Sequence, residues 1–197
     1  MNGSMKKKQT QIPSSAELEQ ELNRERYKSR YKRTLKSTIF ALVTAAAAAV
    51  LIATLWLPVL QIFGSSMVPT LQEGEIVVAV KPRELEPGDV VAFYYGNKVL
   101  VKRCIAGPGS WVDILEDGTV LVDGTELEEP YLKDKHFGIC DLELPYQVPE
   151  GTYFLMGDER ETSVDSRHSS VGCITMEQIV GKIAFRVWPF EVFGSIA

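Results

Sequence analysis

The chain has 197 residues, 45% hydrophobic and 24% charged, a globular composition that excludes an intrinsically disordered chain and leaves room for one domain plus a modest extra segment. The net charge of −5 is unevenly spread: residues 1–36 hold 10 Lys and Arg against 4 Asp and Glu, residues 64–197 hold 11 against 22, and no charged side chain lies between Lys36 and Glu73. A basic end, an uncharged stretch and an acidic remainder point to three environments rather than one.

Residues 14–36 read as helical, with Ser14 and Glu17 spaced as a capping box and Leu18 and Leu22 four apart. Their cations, Arg24, Arg26, Lys28, Arg30, Lys32, Arg33 and Lys36, are the kind that contact anionic lipid headgroups. The segment reads as topogenic and solvated, with no nucleic acid as partner.

The run Ile39–Leu60 holds 22 residues without a charge. At about 1.5 Å per residue such a helix crosses a hydrocarbon core of roughly 30 Å. Trp56 suits an interfacial aromatic, and Pro58 marks where the helix can end. The plainer reading, a buried core helix, conflicts with apolarity on every face and with the basic neighbour. A cleaved signal peptide has a shorter basic region and an apolar core of roughly 7–15 residues, so a retained anchor over residues 37–60 fits better. The positive-inside rule then keeps residues 1–36 as a cytoplasmic tail and places residues 61–197 outside. The expected location is the plasma membrane, crossed once, with the lipid bilayer as a partner.

Beyond Leu60 short apolar runs alternate with glycine and proline. Candidate strands are Glu75–Val80, Asp89–Tyr95, Lys98–Ala106, Trp111–Leu115, Thr119–Val122, Thr152–Met156 and Ile179–Val187, with a short helix at Thr175–Gln178. Gly96-Asn97 reads as a tight hairpin, as does the turn at Glu116-Asp117-Gly118. No βαβ alternation or internal repeat is present, so the fold class is mainly β: an antiparallel domain after one N-terminal transmembrane helix. Cys104, Cys140 and Cys173 lack metal-site spacing. Outside the cytoplasm one disulfide is open to them, with Cys140–Cys173 the preferred pair; three free buried thiols is the alternative.

Four segments carry the chemistry. Phe63-Gly64-Ser65-Ser66-Met67-Val68-Pro69-Thr70-Leu71 follows the apolar run, and Leu85-Glu86-Pro87-Gly88-Asp89-Val90-Val91-Ala92-Phe93 is a turn feeding a strand. Val99–Gly109 puts Lys102 and Arg103 inside an apolar strand. Alternation sets Lys102 with Leu100 and Cys104 on one face and Arg103 with Val101 and Ile105 on the other, so one cation must point into packing or a site. Gly157–Arg167 is a dense polar loop. Singly, the first and last read as turn chemistry and solvated surface.

Together, and in this order, these segments resemble the type I signal peptidase family. Its motifs are a Ser-Met-x-Pro-Thr-Leu loop, a Gly-Asp-Val-x-x-Phe strand, a Lys-Arg-x-Ile-x-x-Pro-Gly strand and a Gly-Asp-x-Arg-x-x-Ser-x-Asp-Ser-Arg loop, matched from Gly64 to about Arg186. The resemblance implies a membrane-bound serine endopeptidase that removes signal peptides from exported pre-proteins, with the secretion translocon as a further expected partner and no cofactor or metal. It implies Ser66 as nucleophile, Lys102 as general base and Ser163 as the serine orienting the lysine. Asp165 and Arg167 would form an ion pair beneath the site. The Ser66 N–H would be an oxyanion donor, and Gly64 stands where some members carry a serine hydroxyl as second donor. Glu159 and Ser110 depart from the common Asn and Asp. Substrate would pair as an added strand near Gln61–Ser65 and Lys98–Lys102, with Met67, Leu71, Val101 and Ile105 lining shallow pockets or simply filling the core.

Three other readings stand beside this one. His168 near Asp165 allows a Ser–His–Asp triad. A LexA-like self-cleaving serine–lysine protease shares the chemistry but not the anchor. The chain could also be an inert membrane-anchored β-domain that binds or scaffolds.

Overall fold

The computed structural model describes residues 15–196, so the Ser14 cap lies outside the described residues, as does the side chain of Trp56. The chain divides into two units, Met1–Ile52 and Ala53–Ala197.

Helix α1 runs Ser15–Trp56, 42 residues, or about 63 Å at 1.5 Å per residue. Phe40, Leu42, Val43, Val50 and Leu51 are all exposed, so these side chains are not packed as those of a core helix would be. The Thr44 hydroxyl donates to the Phe40 carbonyl at 2.8 Å, satisfying within the helix the one polar group of its apolar turn. The helix is long and apolar enough to cross a bilayer. It stops four residues before Leu60 because Pro58 has no N–H and disfavours helical geometry at Leu57; the apolar residues that follow join a sheet.

Twelve strands follow: β1 Val59–Gln61, β2 Ile76–Val80, β3 Val90–Tyr95, β4 Lys98–Ala106, β5 Trp111–Ile114, β6 Val120–Val122, β7 Thr125–Glu126, β8 Tyr146–Gln147, β9 Thr152–Met156, β10 Ile174–Thr175, β11 Ile179–Trp188 and β12 Gly194–Ser195. All seven strands expected from the sequence are present, their ends shifted by one residue at most. The larger sheet has the order β1-β2-β11-β3-β4-β9-β10 with β12 on β11, and the smaller β7-β6-β5-β8. Every ladder is antiparallel. The β3–β4 hairpin closes on Gly96-Asn97, with Tyr95 opposite Lys98 and Gly96 at φ +57°, a conformation that suits glycine. The helix expected at Thr175–Gln178 is one 3₁₀ turn, Met176–Gln178, entered by a Thr175 N–H donated to Gln178 Oε1 at 3.0 Å.

Strand alternation sorts the core. Val90 and Ala92 of β3 pack with Ile62, Met67, Leu71, Val77, Ala79 and Ile183 on one face of the larger sheet. Val91 and Phe93 pack with Cys104, Leu155 and Ile179 on the other. A third cluster, centred on Val112, Val120, Phe154 and Met156, joins the two sheets.

The expected Cys140–Cys173 bridge is corrected: all three cysteines are free. The Cys140 thiol lies 4.0 Å from the Leu142 carbonyl, whereas Cys173 is drawn into packing beside Phe137 and Tyr146. Cys104 is fully buried on β4, and burial pushes its thiol up to about 12.

Candidate active site

Ser66 sits on the loop joining β1 to β2. The base of this loop extends the ladder, with Ile62 N–H donating to Glu75 O at 2.8 Å and Gly74 N–H to Ile62 O at 2.9 Å. Its apolar residues Met67 and Leu71 are buried in the sheet's first core cluster. Consecutive turns, Val68 N–H to Ser65 O at 3.0 Å and Leu71 N–H to Met67 O at 2.8 Å, then hold Ser66 half-buried. The Ser66 carbonyl accepts the Glu159 N–H at 3.1 Å. Among the described residues, neither the Ser66 amide N–H nor its hydroxyl has a hydrogen-bond partner.

Alternation along β4 required one of two adjacent cations to be buried, and the fold buries both. Lys102 is 3% exposed and Arg103 1%. Their treatment differs. The Arg103 guanidinium reaches Asp158 twice, Nε to Oδ1 at 2.9 Å and Nη2 to Oδ2 at 2.8 Å. It also donates to Gly88 O at 2.7 Å and lies 3.8 Å from the Tyr131 ring centre. Arg167 holds Asp165 with two contacts of 2.9 Å. Arg160 holds Glu129, Nη1 to Oε2 at 3.3 Å and Nη2 to Oε1. Lys102 alone of the buried cations has no ion-pair partner among the described residues. Burial lowers its ammonium from the ordinary 10.5 to about 8; Asp165 and Asp158 oppose that shift, and Arg167 adds to it.

The polar loop after β9 is therefore framework more than solvated surface. The Gly157 N–H donates to Asp165 Oδ2 at 2.9 Å, and its carbonyl accepts Arg160 Nε at 3.0 Å. Asp165 is buried, which favours the neutral acid, but the Arg167 guanidinium and the Gly157 N–H prevail and hold its carboxyl below the usual range. Ser163 is 2% exposed, and its hydroxyl is buried beside the Asp165 carboxylate, which it helps to keep charged.

Gly157 separates this loop from Ser66. A Cβ there would lie 2.2 Å from Ser163 Oγ and 2.6 Å from the Ser66 carbonyl oxygen. Gly157→Ala is accordingly expected to push the two apart and cut turnover by about a hundredfold. Steady-state kinetics with a far-ultraviolet dichroism control measures this; an alanine variant with parental turnover would show that the contact is unimportant.

A cleft of about 350 Å³ runs beside Ser66, lined by Val59–Gly64, Ser66, Met67 and Val99–Val101. One wall is β1, the end strand of the larger sheet. The other is the first half of β4, which extends past the residues that pair with β9, namely Arg103, Cys104 and Ala106. Both walls thus present unpaired strand edges.

Of the four expected pocket residues, Met67 and Val101 line this cleft, whereas Leu71 and Ile105 do not. Leu71 is fully buried under the loop, and Ile105 lies in the third core cluster. Ile105 lies four positions further along β4 than Val101, roughly 13 Å at strand rise, and so falls in the cluster with Val112 and Phe154. Gly64 has φ +82°, with open space where a Cβ would be, and it offers no hydroxyl. His168 turns one ring nitrogen, Nδ1, towards both Asp141 Oδ2 at 3.4 Å and Ser170 Oγ at 3.5 Å. A triad needs the acid on one nitrogen and the serine on the other, and this ring does not supply that.

Sequence reasoning missed Asp158 as the partner of Arg103, Thr70 as a link between them, and the Glu129–Arg160 pair. Two adjacent cations in an apolar strand signalled that a buried carboxylate was required. Nothing local signalled Glu129, which is 31 positions from Arg160.

Residues 35–188 match the family model described as "Signal peptidase, peptidase S26", and the class is therefore a serine endopeptidase, a hydrolase. The chain is 41% identical over 150 residues to signal peptidase IB of Staphylococcus aureus (strain COL), covering 66% of this chain and 77% of that one. It is 34% identical over 166 residues to signal peptidase I of Bacillus caldolyticus, covering 75% and 90%. A crystal structure of signal peptidase I from Enterococcus faecalis V583 aligns with a TM-score of 0.44 at 28% identity, over 51% of this chain and 97% of that one. The chain belongs to the signal peptidase family, peptidase S26, and its long apolar helix fits a membrane anchor.

Proposed function

We propose that this chain removes signal peptides from exported pre-proteins at the membrane surface, with Ser66 as nucleophile and Lys102 as general base. The observation that carries this reading is the solitary buried lysine. A cation kept dry with no ion-pair contact among the described residues is pushed towards its neutral form, and a neutral amine accepts the proton that a serine must lose to attack. The Ser66 hydroxyl attacks the scissile carbonyl and passes its proton to Lys102 Nζ. The amide N–H of Ser66, unengaged among the described residues, donates to the oxyanion. Collapse of the tetrahedral species expels the new amino terminus, protonated from Lys102, and leaves an ester on Ser66. Water deprotonated by Lys102 then hydrolyses that ester.

The substrate lies extended in the cleft, pairing with β1 and with the start of β4. Met67 and Val101 face its small side chains, Ser163 orients the lysine, and Asp165 with Arg167 braces the loop beneath. The seven cations from Arg24 to Lys36 keep the amino terminus cytoplasmic, so the cleft works outside, where emerging signal peptides meet lipid and translocon. Cleavage of a pre-protein by the purified full chain is expected to disappear in Ser66→Ala and persist in His168→Ala. Equal non-zero rates for the parent and Ser66→Ala would refute Ser66 as nucleophile, no cleavage by the parent would leave an inert β-domain, and loss confined to His168→Ala would revive the triad.

A further inference from the structure

The loop carrying Ser66 is fastened at a second point, Thr70, and part of that fastening comes from across the sheet. Arg186 of β11, 116 positions further along the chain, donates from Nη2 to the Thr70 carbonyl at 2.5 Å. Its Nε lies 3.0 Å from Glu75 Oε2, an ion pair without hydrogen-bond alignment, with both side chains largely shielded from solvent. Glu75 is itself the closing residue of the loop, since its carbonyl accepts the Ile62 N–H at 2.8 Å. Thr70 also has a side-chain link: its hydroxyl donates to Asp158 Oδ2 at 2.5 Å and accepts from Arg103 Nη2 at 3.1 Å. Arg103 directly follows Lys102 on β4. The Thr70 hydroxyl therefore ties the serine loop to the lysine strand, and the Thr70 carbonyl ties it to β11.

We infer that Arg186 and Glu75 are positioning residues for the cleavage reaction, setting the reach of the Ser66 hydroxyl by clamping the Thr70 carbonyl between β11 and the loop's base. The inference rests on the assignment of Ser66 and Lys102. It follows from geometry and from residue chemistry. The turns Ser65–Val68 and Met67–Leu71 make residues 65–71 one linked unit, so releasing Thr70 lets Ser66 move while Lys102, on a strand paired with β3 opposite Val91, stays. The planar guanidinium keeps its charge beside the Glu75 carboxylate while Nη2 donates to the Thr70 carbonyl; a lysine ammonium, a single point of charge, cannot be at both places. Displacement of a reacting atom by about 1 Å costs on the order of a hundredfold in rate.

The test compares the parent, Arg186→Lys, Arg186→Met and Glu75→Gln as full chains in detergent, cleaving one pre-protein across a pH series, with Ser66→Ala as the blank. The expected result is a fall in kcat of about tenfold to a hundredfold in both Arg186 variants and less in Glu75→Gln. KM should hold within about twofold, and the rise of activity with pH should keep its parental midpoint, because Lys102 remains dry. A merely structural role would loosen the fold, hydrate Lys102 and move that midpoint towards 10.5. A moved midpoint, or parental kcat in Arg186→Lys, overturns the inference. Should Arg186→Met fail to fold, Arg186→Lys and Glu75→Gln decide alone. Activity in the Ser66→Ala blank would instead overturn the nucleophile assignment.

Discussion

Replacing Lys102 by methionine is expected to abolish measurable cleavage while making the protein more stable at neutral pH. The activity side follows from the loss of the proposed base, an effect of about 10²–10⁴ in rate. The stability side follows from the depressed ammonium. In the unfolded chain Lys102 titrates near 10.5, in the folded one near 8, so folding must give up a proton or carry a dry charge. Because the folded value lies below the unfolded one, the penalty is fully present below about pH 8 and fades as the pH rises to about 10.5. At about 1.4 kcal/mol per pKa unit it amounts to roughly 3 kcal/mol. Methionine has a similar length and no charge, so it removes the penalty without opening a cavity. Thermal unfolding at pH 7 should show a higher midpoint for Lys102→Met, and the gap should close towards pH 10.5. A lower midpoint at pH 7 would mean that the amine already has water or a counter-ion in the folded state. Cleavage by the parent should rise through about pH 8 as the amine loses its proton.

Arg103→Met, one position away, is expected to do the opposite to stability. Arg103 and Asp158 pair with side-chain exposures of 1% and 0%. Removing the guanidinium strands the Asp158 carboxylate, and breaking a buried pair from one side costs about 3–5 kcal/mol. The Thr70 hydroxyl and the Gly88 carbonyl lose a donor in the same step. Urea unfolding should register a loss of that size, and activity should fall too because the serine loop loses its tie to β4. A loss below about 1 kcal/mol would indicate that water reaches Asp158 and replaces the guanidinium. Two adjacent cations on one strand, substituted by the same residue, should therefore move stability in opposite directions.

Much of this architecture was legible beforehand because its causes are local. A run of 22 uncharged residues beside seven cations has the length and composition of a membrane-crossing helix whatever follows it. Short apolar runs such as Val90–Tyr95, bounded by Pro87-Gly88 and Gly96-Asn97, are strand and turn signals that need no tertiary context. β7, β8, β10 and β12, two residues each, were missed because two residues cannot display a period. The end of α1 was misjudged for a related reason: Val59 and Leu60 are as apolar as the helix before them, and only their pairing with Val78 and Val77 makes them strand.

By itself the sequence determined the class of fold, the long apolar helix and the residues that resemble a peptidase's machinery, because each of these rests on local pattern. It also determined that β4 had to bury a cation. Only the tertiary structure decided that Arg103 would be paired with Asp158 and Lys102 left with no ion-pair contact among the described residues. That choice depends on where Asp158, 55 positions away, comes to lie, and a carboxylate's place in the fold is a matter of packing rather than of local pattern. The pocket was decided in the same way: Ile105 lies far enough along β4 to enter the third core cluster, while Val101 stays in the cleft.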